Sequence, residues 1–172
     1  MAGITTALVR ATATITLDDA AEATDTETIV IGGKTYTFVA TVGTADGNVH
    51  IGATVADTVA NLVAAINLDP TVGETGVEGT DYGSSMTRND RVWATWVVAT
   101  GVITLHSAVP GTIGNLIPLT AGTSGVTVSG ALLAGGTGIL ADFMEELLGS
   151  VQLNSEAIMH LSPFSAIDSG AA

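Results

Sequence analysis

Three histidines, His50, His106 and His160, and a dense acidic run, Asp18, Asp19, Glu22, Asp25 and Glu27, are the residues of this chain whose types could do chemistry. A nucleophilic triad needs a serine or cysteine, a histidine and a carboxylate within hydrogen-bond reach. The chain has no cysteine, its histidines are isolated, and no serine lies in a Gly-x-Ser-x-Gly elbow. Each histidine therefore reads as an ordinary surface or strand residue. The acidic run offers the hard oxygen ligands that suit Ca²⁺, but it lacks the D-x-[DN]-x-[DN]-G spacing of a calcium loop and reads as a solvated turn. Glu78 and Asp81 form an acid pair of the kind that glycoside hydrolysis uses, and they carry the weakest of the readings, an enzyme. Gly135, Gly136 and Gly138 match neither phosphate-cradling spacing and no lysine follows them, so they read as a hinge. No catalytic residue, cofactor or metal is expected.

The residues that point to binding are apolar. Trp93 and Trp96 stand beside Arg88 and Arg91, and rings next to guanidinium groups are common where proteins or sugars are bound. A spacing of three places the two indoles on opposite faces of a strand, one in the core and the other exposed or in an interface. Further on, Leu140, Phe143, Met144, Leu147 and Leu148 fall on one face at helical spacing after a glycine-rich run. A short helix cannot bury such a stripe by itself. It must dock on its own domain or on a neighbour, and the neighbour is favoured because arm exchange buries large apolar area, at about 25 cal/mol per Å². These seven residues are the candidate interface.

The composition narrows the partners. Seventeen carboxylates face four cations, Arg10, Lys34, Arg88 and Arg91, giving a net charge of −13. Nucleic acid would be repelled, since phosphate affinity needs several Lys or Arg on one face, and an anionic membrane surface is disfavoured likewise. The same charge keeps a chain that is 47% hydrophobic soluble. The N-terminus lacks the basic and apolar regions of a signal peptide, and no run approaches the roughly 18 apolar residues of a membrane span. An aqueous, cytosolic setting is expected.

The patterning predicts a mainly β, α+β domain, antiparallel and sandwich-like, with one packed helix and a C-terminal helical arm. Residues 11–17 alternate Thr with Ala, Ile and Leu, the period of a half-buried strand. Gly32-Gly33 between β-branched runs predicts a tight hairpin. Val55, Val59, Leu62, Val63 and Ile66 predict a helix over 54–67, with Thr54 as N-cap and Asp57 completing a capping box, stopped by Asp69-Pro70. Residues 70–90 read as a long exposed loop, 92–106 as a second hairpin across Gly101, and 126–128 as a short strand. The expected divisions are an N-terminal arm at 1–10, the β-rich domain at 11–129, and a Gly-rich joint with a C-terminal arm at 130–172.

An ordered series of local features extends from Ala11 to about Thr120. It comprises T-I-T-L at Thr14 to Leu17, T-I-V-I-G-G-K-T-Y-T-F-V at Thr28 to Val39, and G-N-V-H-I-G at Gly47 to Gly52. A-D-T-V-A-N-L-V-A-A-I-N at Ala56 to Asn67, V-I-T-L-H at Val102 to His106 and P-G-T-I-G-N at Pro110 to Asn115 complete it. The series resembles a small β-rich module of tailed-bacteriophage virion proteins, found in capsid decoration, tail and fibre proteins. The resemblance covers roughly two thirds of the chain. It implies a structural subunit assembled in the host cytoplasm and located in the virion, with itself and the major capsid protein as partners.

Overall fold

The computed structural model describes residues 7–17, 26–68, 76–97, 100–122 and 125–138. Strand β1, Thr12–Leu17, turns Ala13, Ile15 and Leu17 inward and its three threonines outward, as the alternation requires. Strands β2 (Thr28–Ile31) and β3 (Lys34–Val39) pair antiparallel, with Ile31 opposite Lys34. Gly32 and Gly33 make the turn at φ 63° and 90°, conformations in which a side chain would be strained. Strand β4, Asn48–His50, then runs parallel to β3, the exception among the strand pairings described.

Helix α1, Val55–Asn67, begins at the expected capping box. The Thr54 hydroxyl accepts from the Asp57 N–H at 3.2 Å, and the Asp57 carboxylate accepts from the Thr54 N–H at 3.1 Å. It ends at Leu68, whose left-handed φ of 42° turns the chain while its N–H still bonds the Ala64 carbonyl. Val59, Leu62, Val63 and Ile66 are fully buried. A Leu62→Ala change at such a site costs about 2–5 kcal/mol, which marks this helix as core structure.

Strands β5 (Val92–Val97) and β6 (Val102–Ser107) form the second hairpin, and a five-residue 3-10 helix, Thr112–Leu116, leads to β7 (Leu119–Ala121) and β8 (Val126–Val128). One sheet has the order β5-β6-β1-β8 and the other β4-β3-β2-β7. Ile15, Ile103 and Leu105 of the first share a core with Ile29, Ile31 and Phe38 of the second, and α1 completes it. The domain is thus mainly β with a single α-helix among the described residues.

Two segments differ from their sequence reading. Residues 76–90 are not simply an exposed loop. Gly76 presses so close to α1 that an added Cβ would lie 2.5 Å from the Ala64 Cβ, Tyr82 and Met86 pack on the core, and Asn89 is buried. The Gly-rich run at 130–138 is laced to the body: Thr12 and Ala134 exchange N–H···O bonds of 2.8 and 2.9 Å, Val9 bridges Thr137, and Leu133 is buried. Most of the acidic run (18–25), Pro70, His160 and the stripe Leu140, Phe143, Met144, Leu147 and Leu148 lie outside the described residues.

Candidate interaction surfaces

The two tryptophans lie on opposite faces of β5. Trp96 packs against the core, whereas Trp93 lies outward and stacks on His106, its cross-strand partner on β6, with ring centroids 4.0 Å apart and planes 13° from parallel. The stack takes up one face of the indole. Thr95 Oγ1 lies 3.1 Å from His106 Nε2, and burial, with a smaller contribution from Arg10, holds the imidazole pKa below its ordinary value. A neutral ring against the indole makes an uncharged, aromatic patch.

That patch belongs to a wider pattern. The outward positions of this sheet are Thr12, Thr14, Thr16, Trp93, Thr95, Val97, Val102, Thr104, His106 and Thr127. None of them carries a formal charge at neutral pH. The charged residues that the structure describes sit instead in loops, at strand ends or in the first turn of α1.

A second surface is apolar and lies where three segments converge. Gly111 N–H bonds the Val9 carbonyl, Thr112 N–H the Gly138 carbonyl and Leu133 N–H the Ile117 carbonyl, at 2.9, 3.0 and 3.1 Å. On these segments Val9, Val109, Ile113, Leu116 and Leu132 are 46%, 49%, 60%, 67% and 48% exposed, five of the seven exposed large hydrophobics among the described residues. Asp90, Arg91, Val109, Ile113, Gly114 and Ile117 line an open hollow of about 200 Å³ beside them. Arg10 reaches the same place, donating from Nη1 to the Ser107 carbonyl at 2.8 Å and to the Ala108 carbonyl. A concentrated apolar surface on a well-bonded backbone is a mark of an interaction site. Its signal in the sequence was weak, because Ile113 and Leu116 in a turn-rich segment look the same whether they face in or out.

Other polar groups are bonded within the fold. Lys34 Nζ, the Asp46 carboxylate and Thr87 form one polar knot, with Lys34–Asp46 at 2.7 Å and Thr87 donating to Asp46 from N–H and Oγ1 at 3.0 and 2.8 Å. Burial raises the Asp46 pKa, but the bonds from Lys34 and Thr87 outweigh it and hold the carboxyl at about 2. Asp81 caps its own turn, its carboxylate accepting from the Val77 N–H at 2.7 Å, and with Glu78 it raises the pKa of the half-buried Tyr82, on top of the larger effect of burial. His50 is held by its backbone, donating to the Asp81 carbonyl and accepting from Asn61 Nδ2. Among the described residues no three His, Cys, Asp or Glu side chains gather as a metal site, and no helix is long and apolar enough to cross a membrane. In comparison with known proteins, the chain matches no family model and no curated sequence.

Proposed function

We propose that this chain is a structural subunit of a tailed-bacteriophage particle, and within that class a capsid-decoration (cement) protein. The observation that carries the reading is the apolar surface of Val9, Val109, Ile113, Leu116 and Leu132, held on a firmly bonded backbone in a chain of net charge −13. Such a surface is costly to leave in water and gains by packing against other subunits. The uncharged outer face around Trp93 adds a second area on which neighbours can pack with few ions to desolvate. The partners in this reading are further copies of the chain and the major capsid protein, not nucleic acid or a membrane. The mechanism is passive: many weak contacts repeated over a lattice add avidity and stabilise the shell.

Image reconstruction of purified particles tests it. A decoration protein occupies the head in hundreds of copies by lattice symmetry; density confined to the tail, in few copies, makes the chain a tail or fibre-anchoring adaptor instead. Absence from the particle refutes both. The outward placement of Trp93 favours one further reading, a carbohydrate-binding module on the virion surface. A glycan array settles that option, because binding must be present and must be lost in Trp93→Ala.

A further inference from the structure

We propose that the end of the domain around Arg10, Arg88 and Arg91 binds the opposite end of a second copy of this chain, head to tail. The inference deepens the structural-subunit reading and rests on it. All four cations of the chain gather at this end, linked by a continuous series of bonds. Lys34 Nζ donates to Thr87 Oγ1 at 2.9 Å, next to Arg88, and Arg91 Nη1 donates to the Gly32 carbonyl at 3.2 Å, in the turn that precedes Lys34. The Arg91 carbonyl accepts from the Ala108 N–H at 2.8 Å, and the Ser107 and Ala108 carbonyls both accept from Arg10 Nη1. Two carboxylates share the place, Asp46 in its ion pair with Lys34 and the exposed Asp90. Four cations less two carboxylates leave +2 here, so the rest of the chain carries the other 15 of the 17 carboxylates and no cation. Arg10, Arg88 and Arg91 are exposed, and the bonds of Arg10 and Arg91 go to neutral carbonyls, which hold the guanidinium groups in place without cancelling their charge.

That pattern selects both the partner and the symmetry. Every other charged group of a copy is a carboxylate, so a second copy offers what this end lacks. Repulsion between copies of net charge −13 is screened beyond about 8 Å at physiological salt, which leaves the groups in contact to decide. A twofold pairing of this end would set guanidinium against guanidinium, whereas a heterologous contact sets guanidinium against carboxylate. The mate is the far end of the domain. Glu27 precedes β2, whose other end is the Gly32 turn, and Asp57 stands exposed in the first turn of α1, whose last turn approaches the cations through the Asn89 N–H bond to the Ile66 carbonyl at 3.2 Å. The two carboxylates thus lie a strand's and a helix's length from the cations. A contact between opposite ends cannot close at two copies and repeats into a ring or a filament.

Sedimentation of the full-length protein over a concentration series tests this with three variants, each checked for a wild-type circular dichroism spectrum and melt. Arg10→Gln/Arg91→Gln alters one end and Glu27→Gln/Asp57→Asn the other, while Thr95→Glu/Thr120→Glu makes the first variant's change of net charge at exposed mid-strand positions. The wild type is expected to form species larger than a dimer, either end variant to raise the association Kd at least about tenfold, and the mid-strand variant to leave it within about twofold. An equimolar mixture of the two end variants is expected to stop at a dimer, since one intact cationic end then meets one intact acidic end. A wild type that is monomeric or stops at a dimer, an end variant that associates as the wild type does, a mid-strand variant as impaired as the end variants, or a mixture that stays monomeric overturns the proposal. Incorporation of the wild type into particles, measured separately, reports on the structural-subunit reading alone.

Discussion

Two long connections in this domain do opposite things with their side chains. Residues 76–91, before β5, turn polar groups inward: Asn89 Nδ2 donates to the Ile31 carbonyl at 3.0 Å and to Tyr36 Oη at 3.4 Å, while its Oδ1 accepts from the Arg91 N–H. Residues 108–118, after β6, turn apolar groups outward, although their backbone is just as well bonded. The first connection, apart from the exposed Val77, works for the fold. The second has its polar groups satisfied and its apolar groups not, which is the condition of a surface made for a partner.

Substitutions should separate the two roles, and the largest effect is expected at Asn89. Asn89→Ala strands the buried Ile31 carbonyl and the part-buried Arg91 N–H, so thermal or urea unfolding should report a loss of about 2–4 kcal/mol. Next comes Ser107, the buried anchor of the apolar connection, whose Oγ accepts from the Ala11 N–H at 3.1 Å and donates to the Val109 carbonyl at 2.8 Å. Ser107→Ala should cost about 1–2 kcal/mol in the same assay, and a neutral result would show that the exposed surface is not held in place as described.

The Asp46 knot should give a smaller, pH-dependent signal. Its folded pKa of about 2 lies below the ordinary 3.8, so its stabilisation is complete above about pH 4 and is lost as pH falls through 2. The Asp46 side chain is 47% exposed, so screening limits the amount to under about 1 kcal/mol. Asp46→Asn should flatten the stability profile in that window. His106 has the same sign nearer neutrality: with its pKa depressed below 6.5, its contribution is whole above pH 6.5 and fades below it, and His106→Gln should remove that slope. The smallest folding effect belongs to Ile113→Ser with Leu116→Ser. These changes should move unfolding by no more than about 0.5 kcal/mol, and a loss as large as that of Asn89→Ala would mean that the apolar connection serves the fold after all.

The legible parts of the molecule are those whose cause is local. Gly32-Gly33 and the Thr54/Asp57 box announce their turn and helix because the responsible residues lie within four positions of one another. The odd spacing of Trp93 and Trp96 likewise settles their opposite faces. Partners set by register were not legible: that Trp93 stacks on His106 follows from the pairing of β5 with β6, which no short-range pattern encodes. The three-residue β4 has too few residues to show a period, and its parallel pairing depends on the tertiary fold. Residues 130–138 read as a joint because glycine signals freedom. Here Gly136 is needed for closeness instead, since an added Cβ would stand 2.4 Å from the Gly111 carbonyl oxygen.

The side chain of Asn67 has one more consequence. It takes both backbone groups of Ala94, accepting from the N–H at 2.8 Å and donating to the carbonyl at 2.9 Å, so the free border of β5 is stoppered at its midpoint by a helix residue. At the far border of the other sheet, His50 N–H and the Asn48 carbonyl are taken by Asp81 and Gly83 of the same chain. Neither border offers an open ladder on which a stranger's strand could zip. At these two borders copies are thereby steered away from ribbon-like fusion and left to meet through their side chains.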